Sequence, residues 1–199
     1  MLNIFRALKH QFGVCLLFAG LAMHPSGFGQ ANVAAAPLIV QYGGVDYQHR
    51  WSKGGQHEFT PAGQENLSRW QDMVTINVHP AVRNGDQLAA LANQVVGRYG
   101  AAGKVIMTNS VPRTEKVPAQ HLVVAVLRGA NVAEAVFARF VLLDDQGSVI
   151  VYSRREYGPN AAAVAGQWLE QKGSPNIDSL MQWTAVPSPA VLRQLPNSQ

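Results

Sequence analysis

A single cysteine, Cys15, in 199 residues excludes a disulfide framework within one molecule as the source of this chain's stability. Charge is sparse as well. Asp, Glu, Lys and Arg make up 14% of the residues, and the basic ones are scattered singly apart from the pair Arg154-Arg155. The net charge of +4 therefore comes without the basic stripe or aromatic-basic platform that a nucleic-acid binder uses, so no nucleic-acid partner is expected. No uninterrupted apolar run reaches the roughly 20 residues needed to cross a bilayer's hydrocarbon core. Catalytic signatures are missing too. There is no HExxH zinc helix, and no GxSxG elbow surrounds Ser52, Ser68, Ser110, Ser148 or Ser153. Gly97, Gly100 and Gly103 follow a helical pattern instead of preceding one, which rules out a phosphate-cradling loop there.

What is present begins with the pattern of an export signal. Arg6 and Lys9 give a positive start, residues 12–23 form a short uncharged apolar core, and small residues follow from Ser26 to Ala36. His24, Pro25 and Ser26 end the apolar run too early for a retained anchor. Val14 is too bulky to precede a lipoprotein cysteine at Cys15. A cut after Ala31 or Ala35 suits small-residue recognition, so residues 1–31 are expected to be a cleaved signal peptide and the product periplasmic or secreted, with no stable membrane span. Processing removes Cys15 and lowers the net charge to +2, from 14 basic and 12 acidic side chains. About 165 residues remain, enough for one domain with a sizeable core.

Residues 32–46 show no clear period and read as a tether or a first edge segment. A single domain is expected over 47–186, with an irregular tail over 187–199. Tyr47, His49 and Trp51 alternate with polar residues, Lys53-Gly54-Gly55 supplies a turn, and residues 56–60 form the partner strand. A three-residue loop predicts Trp51 opposite His57, His49 opposite Phe59, and Arg50 opposite Glu58. Val74, Ile76 and Val78 then alternate along a half-buried strand over 73–79. Asn84 caps a helix whose buried stripe is Leu88, Leu91, Ala92, Val95, Val96 and Tyr99, ending at Gly100. Strands follow over 105–111, 122–127, 135–143 and 149–155, the last two joined by a tight turn at 144–147. Asn160 caps a second helix containing Val164, Trp168 and Leu169 and closed by Gly173, with a short helical turn over 177–183.

Hairpin, strand, helix, four strands and helix in that order argue for an α+β protein, with an antiparallel sheet of six to seven strands covered by two helices. The order resembles the fold shared by the Mog1 and PsbP proteins over residues 47–173. That resemblance implies a non-enzymatic binding or assembly-assisting protein and assigns no residue a role.

The candidate ligand-facing hairpin carries Tyr47, His49, Trp51 and His57. His49, His57 and His79 supply three imidazoles, and the rival reading is a metal-dependent periplasmic hydrolase built on them. No carboxylate stands at a ligand spacing to them, and neither metal nor cofactor is expected. Two segments suit a partner. One is the neutral helix face of Ala90, Asn93 and Gly97, where an interior glycine costs about 1 kcal/mol relative to alanine. The other is the loop over 111–120, with Arg113 and Lys116 between two prolines. The expectation is an exported protein that binds an envelope protein or a small ligand without catalysis of its own.

Overall fold

The computed structural model describes residues 38–115 and 117–198. The expected signal segment and Lys116 lie outside the described residues. Eight strands form one fully antiparallel sheet: β1 Ile39–Tyr42, β2 Val45–Lys53, β3 Gln56–Pro61, β4 Asp72–His79, β5 Gly103–Val111, β6 Gln120–Arg128, β7 Val132–Leu143 and β8 Gln146–Tyr157. Helices α1 Gly85–Ala102, α2 Ala161–Gln182 and the short α3 Pro189–Leu192 complete the α+β domain. Across the sheet the strands run β1-β2-β3-β4-β8-β7-β6-β5. Two meanders thus meet at the β4–β8 seam, and α1 carries the chain from the middle of the sheet to its far edge.

The strand beyond the expected six to seven is β1. It falls inside the 32–46 segment, whose second alternative, an edge segment, is what forms there: Val40 and Tyr42 are buried against β2, while Ile39 and Gln41 face out. The tail over 187–199 is not wholly irregular. Ser188 caps α3 and Leu192 is fully buried.

Both faces of the sheet are covered. Val74, Tyr152, Phe137 and Val124 are in register across four strands and pack with Leu180, Trp183 and Leu192 in one core. None of the buried side chains of α1 belongs to that core. Leu88, Leu91, Ala92, Val95 and Tyr99 lie against the other face, over β5, β6 and β7. Asn84 caps α1 as its position predicts, its side chain accepting from the Gln87 amide at 2.9 Å. The helix runs two residues past Gly100 before β5 begins.

Asn160 precedes helix α2 but its side chain makes no capping bond, and the helix continues through Gly173 and Pro175 to Gln182, so the two expected pieces are one. Gly173 is buried under Leu169, and the apolar side chains on both sides of it, Leu169 and Leu180, join the same core, which overrides the local stop signals. Its far end is held by Arg139 of β7. That residue is 7% exposed, and among the described residues no carboxylate pairs with it. It donates to the Leu180 and Trp183 carbonyls at 3.0 and 2.7 Å and to Gln120 Oε1 at 2.9 Å. A cation against the orphan carbonyls of a helix C-terminus is favourable both as a hydrogen-bond donor and against the helix dipole.

The β2–β3 hairpin corrects the expected register. Gly54 and Gly55, with φ of +59° and +82°, form a two-residue turn of the kind that matches strand twist. A bulge at Arg50 then restores His49 opposite Phe59, while Trp51 faces Glu58 and Ser52 faces His57. Arg50 does not oppose Glu58. Its side chain turns to Thr60 Oγ1 at 3.0 Å and Glu65 Oε1 at 3.1 Å.

Candidate functional site

The bulge decides which hairpin side chains meet. His49, Ser52, His57 and Phe59 share one face of the sheet, and Ser52, which sequence reasoning did not single out, joins the two histidines. Its Oγ lies 2.7 Å from His49 Nε2 and 2.7 Å from His57 Nδ1. A hydroxyl can donate one proton and accept others, so the chain closes best with at least one imidazole neutral. Burial, followed by the neighbouring His49, pushes His57 down to about 4, and burial likewise lowers His49. The C-terminal segment lies over the same point. Ser198 N donates to the Ser52 carbonyl at 2.7 Å, and Ser198 Oγ accepts from the Ser52 amide at 3.2 Å.

The remaining hairpin candidates separate. Trp51 takes the opposite face from His57, because it pairs with Glu58. Tyr47 is buried within the core beside Tyr42, the ring centroids 6.3 Å apart. His79 also parts from the other two histidines. Ile76 is the cross-strand partner of His57, and His79 stands three residues further along β4, on the reverse face opposite Gly147. Among the described residues no group of three His, Cys, Asp or Glu side chains is placed to hold a metal ion.

A second polar group, assembled from residues distant in sequence, sits at the end of the face that carries Tyr47. Tyr152 Oη donates to Asp72 Oδ1 at 2.9 Å, Arg154 donates to Asp72 Oδ2 at 3.2 Å and to Glu156 Oε1 at 2.9 Å, and its guanidinium lies 5.9 Å from the Trp168 ring. Burial and then the Asp72 charge push the Tyr152 phenol far above its ordinary range, so it acts as a donor. Burial works against the Arg154 charge, but Glu156 and Asp72 outweigh it and raise its pKa. Arg155, the next residue, points the other way: it pairs with Glu134 Oε2 at 2.8 Å and covers the Trp70 ring at 3.8 Å. The one adjacent basic pair of the sequence is thus divided between two faces, with each member bonded internally.

The helix strip and the loop differ from these closed groups. Ala90, Asn93 and Gly97 are exposed, and a Cβ built on Gly97 meets nothing within 4 Å. The C-terminal tail passes over Ser52 instead. Arg113 is exposed, in a loop that closes on itself through Thr114 N donating to the Val117 carbonyl at 2.9 Å. That loop leaves β5, the edge strand of the sheet, whose residues from Thr108 to Val111 are all exposed. Ile106, Val111 and Val117, 46%, 44% and 49% exposed, place three large apolar side chains on this edge and its loop.

No family model matches the sequence, and comparison with curated proteins finds no match. Among solved structures, the chain is similar to the Ran-binding protein Mog1p of Saccharomyces cerevisiae, at 12% identity and a TM-score of 0.41, over 73% of this chain and 89% of that one. The resemblance drawn from element order is met here by a solved structure. It is a likeness of arrangement and carries nothing about partner, activity or compartment.

Proposed function

We propose that this chain is an exported, non-enzymatic binding or accessory protein of the bacterial envelope, acting through protein or ligand binding. The observation that carries the binding half is the β5 edge. It combines a strand whose outer side has no strand partner among the described residues, exposed apolar side chains and an adjoining loop with Arg113 on one border of the domain, and long exposed strand edges are ready templates for another chain. The export half rests on the charged, apolar and small-residue succession of residues 1–36.

Site-specific photo-crosslinking in cells, combined with fractionation, tests both. A crosslinking residue at Asn109 of β5 should give an adduct of one discrete size in the envelope fraction, while the same residue at Asn93 of α1 should give none. Retention of the chain in the cytoplasm would refute export. Ester or phosphoester turnover by the purified protein that His57→Ala abolishes would refute the non-enzymatic reading.

A further inference from the structure

Resting on the reading of β5 as the contact surface, we propose that this edge accepts an extended peptide carrying acidic residues on both sides of a short uncharged, partly apolar core, which adds to the sheet as a ninth strand. The two edges of the sheet differ in what they offer. β1 has four residues, and beyond its end the outer side of β2 is already engaged by Leu38 and Ser198, which bond to the backbones of His49 and Ser52. Among the described residues β5 pairs with β6 alone. Its bulge falls at Ile106, leaving Met107–Val111 as an unbroken edge, and Pro112, which has no amide proton, ends it. Within that stretch the Ser110 amide points outward, because it donates to Asn109 Oδ1 at 2.8 Å, a local bond that an incoming carbonyl can replace. By strand alternation the Thr108 amide points the same way.

Charge defines the occupant. Lys104 is exposed at one end of the slot, beside Arg128 at the end of β6, and Arg113 is exposed just past the other end. None of these three cations makes an ion pair among the described residues. No acidic residue occurs between Gly103 and Thr114. A second copy is therefore a poor fit. Antiparallel pairing of β5 with itself about a two-fold axis would set the Lys104 end of each copy against the Arg113 end of the other, bringing like charges together twice. A strand with acids at both ends meets a cation at each, and exposed Ile106 and Val111 flank the edge between them with apolar surface for its uncharged core.

The test uses the full chain and three labelled nine-residue peptides. One has a Val-Thr-Val-Thr-Val core with two glutamates at each end, the second has lysines in place of the glutamates, and the third is the glutamate peptide with its core amides N-methylated. By fluorescence anisotropy the glutamate peptide should bind at least about tenfold more tightly than the lysine peptide, an order that Lys104→Glu/Arg113→Glu should invert. N-methylation should abolish binding, since it removes the ladder donors and keeps the charge. Hydrogen exchange should slow at Thr108 and Ser110 on binding. The proposal falls if neither charged peptide binds, if the N-methylated peptide binds equally well, if protection appears at β1 instead, or if the chain alone dimerises through β5. An Asn109 crosslink that survives the double charge reversal would overturn this peptide chemistry and leave the binding reading standing. Absence of any crosslink at Asn109 would remove the reading beneath it.

Discussion

Two glycines six residues apart, Gly97 within α1 and Gly103 at its end, should respond in opposite directions to the same added methyl group. At Gly97 a Cβ enters open space, so Gly97→Ala recovers the helix propensity that glycine forfeits and reduces the freedom of the unfolded chain. The gain is about 1 kcal/mol, which in a domain of this size raises Tm by about 2 to 4 °C. At Gly103 the Cβ would lie 2.1 Å from the Val126 carbonyl oxygen, 2.8 Å from Leu127 Cα and 2.9 Å from the Val126 carbonyl carbon. All three are backbone atoms of β6, so no side chain can swing away. The start of β5 must part from β6, and overpacking of this kind costs about 1 to 3 kcal/mol. The φ of 176° at Gly103 is extended backbone, which leaves the contact alone to set the sign. Thermal and urea unfolding of the protein and both variants, with sizing at several concentrations, measures the pair. A destabilised Gly97→Ala variant would mean that another surface occupies the α1 strip in solution. A Gly103→Ala variant as stable as the parent would refute the close β5–β6 approach.

The His49–Ser52–His57 chain predicts a pH dependence. Both folded-state pKa values are depressed, so the unfolded chain takes up more protons, and the associated stability is present above about pH 6.5 and is lost as pH falls towards about 4. The loss attributable to His57 approaches about 3 kcal/mol, and Ser52 amide exchange should rise over the same interval; flat urea midpoints between pH 7 and 4.5 would refute this. Arg139→Met strips two buried carbonyls at the end of α2 of their donor and should cost about 2 to 6 kcal/mol in unfolding free energy, whereas a loss below 1 kcal/mol would mean that water replaces it. Mass spectrometry of the exported protein should place the first residue at Asn32 or Ala36, and an intact Met1 form in the membrane would contradict cleavage.

Where local chemistry and burial agree, the residues declare the fold. Asn84 followed by Leu88, Leu91, Val95 and Tyr99 specifies α1, and the alternation of Val74, Ile76 and Val78 specifies β4. The hairpin was half legible. Paired glycines point to a tight turn, but the bulge turns Arg50 to Thr60 and Glu65, and no strand period encodes that contact. Alternation of Val40 and Tyr42 over so short a stretch is too brief to separate a strand from a tether. Gly173 and Pro175 carry stop signals that only tertiary burial overrules. The candidate site was less legible still. Arg154 finds Asp72 across 82 residues of sequence, and Ser52 becomes the link between two histidines only through the shifted register. Arg113, by contrast, was visible as an exposed cation beside a proline, while the neighbouring edge gains its meaning from the strand order.

That strand order has a kinetic consequence. Strands β1 to β4 meet only sequence neighbours, as do β5 to β8, so each meander can zip from its own turns. The seam is different: Asp72 must find Arg154 and His79 must find Gly147, with α1 and three complete strands between them. Closing such a loop spends chain entropy before any contact repays it. The β4–β8 pairing is therefore expected to be the last part of the sheet to form. Until it does, both margins of the seam, Met73 to Val78 on one side and Val149 to Tyr152 on the other, stand as unpaired apolar edges. That interval is when the folding chain is most exposed to aggregation, and the proposed export would place it after membrane passage.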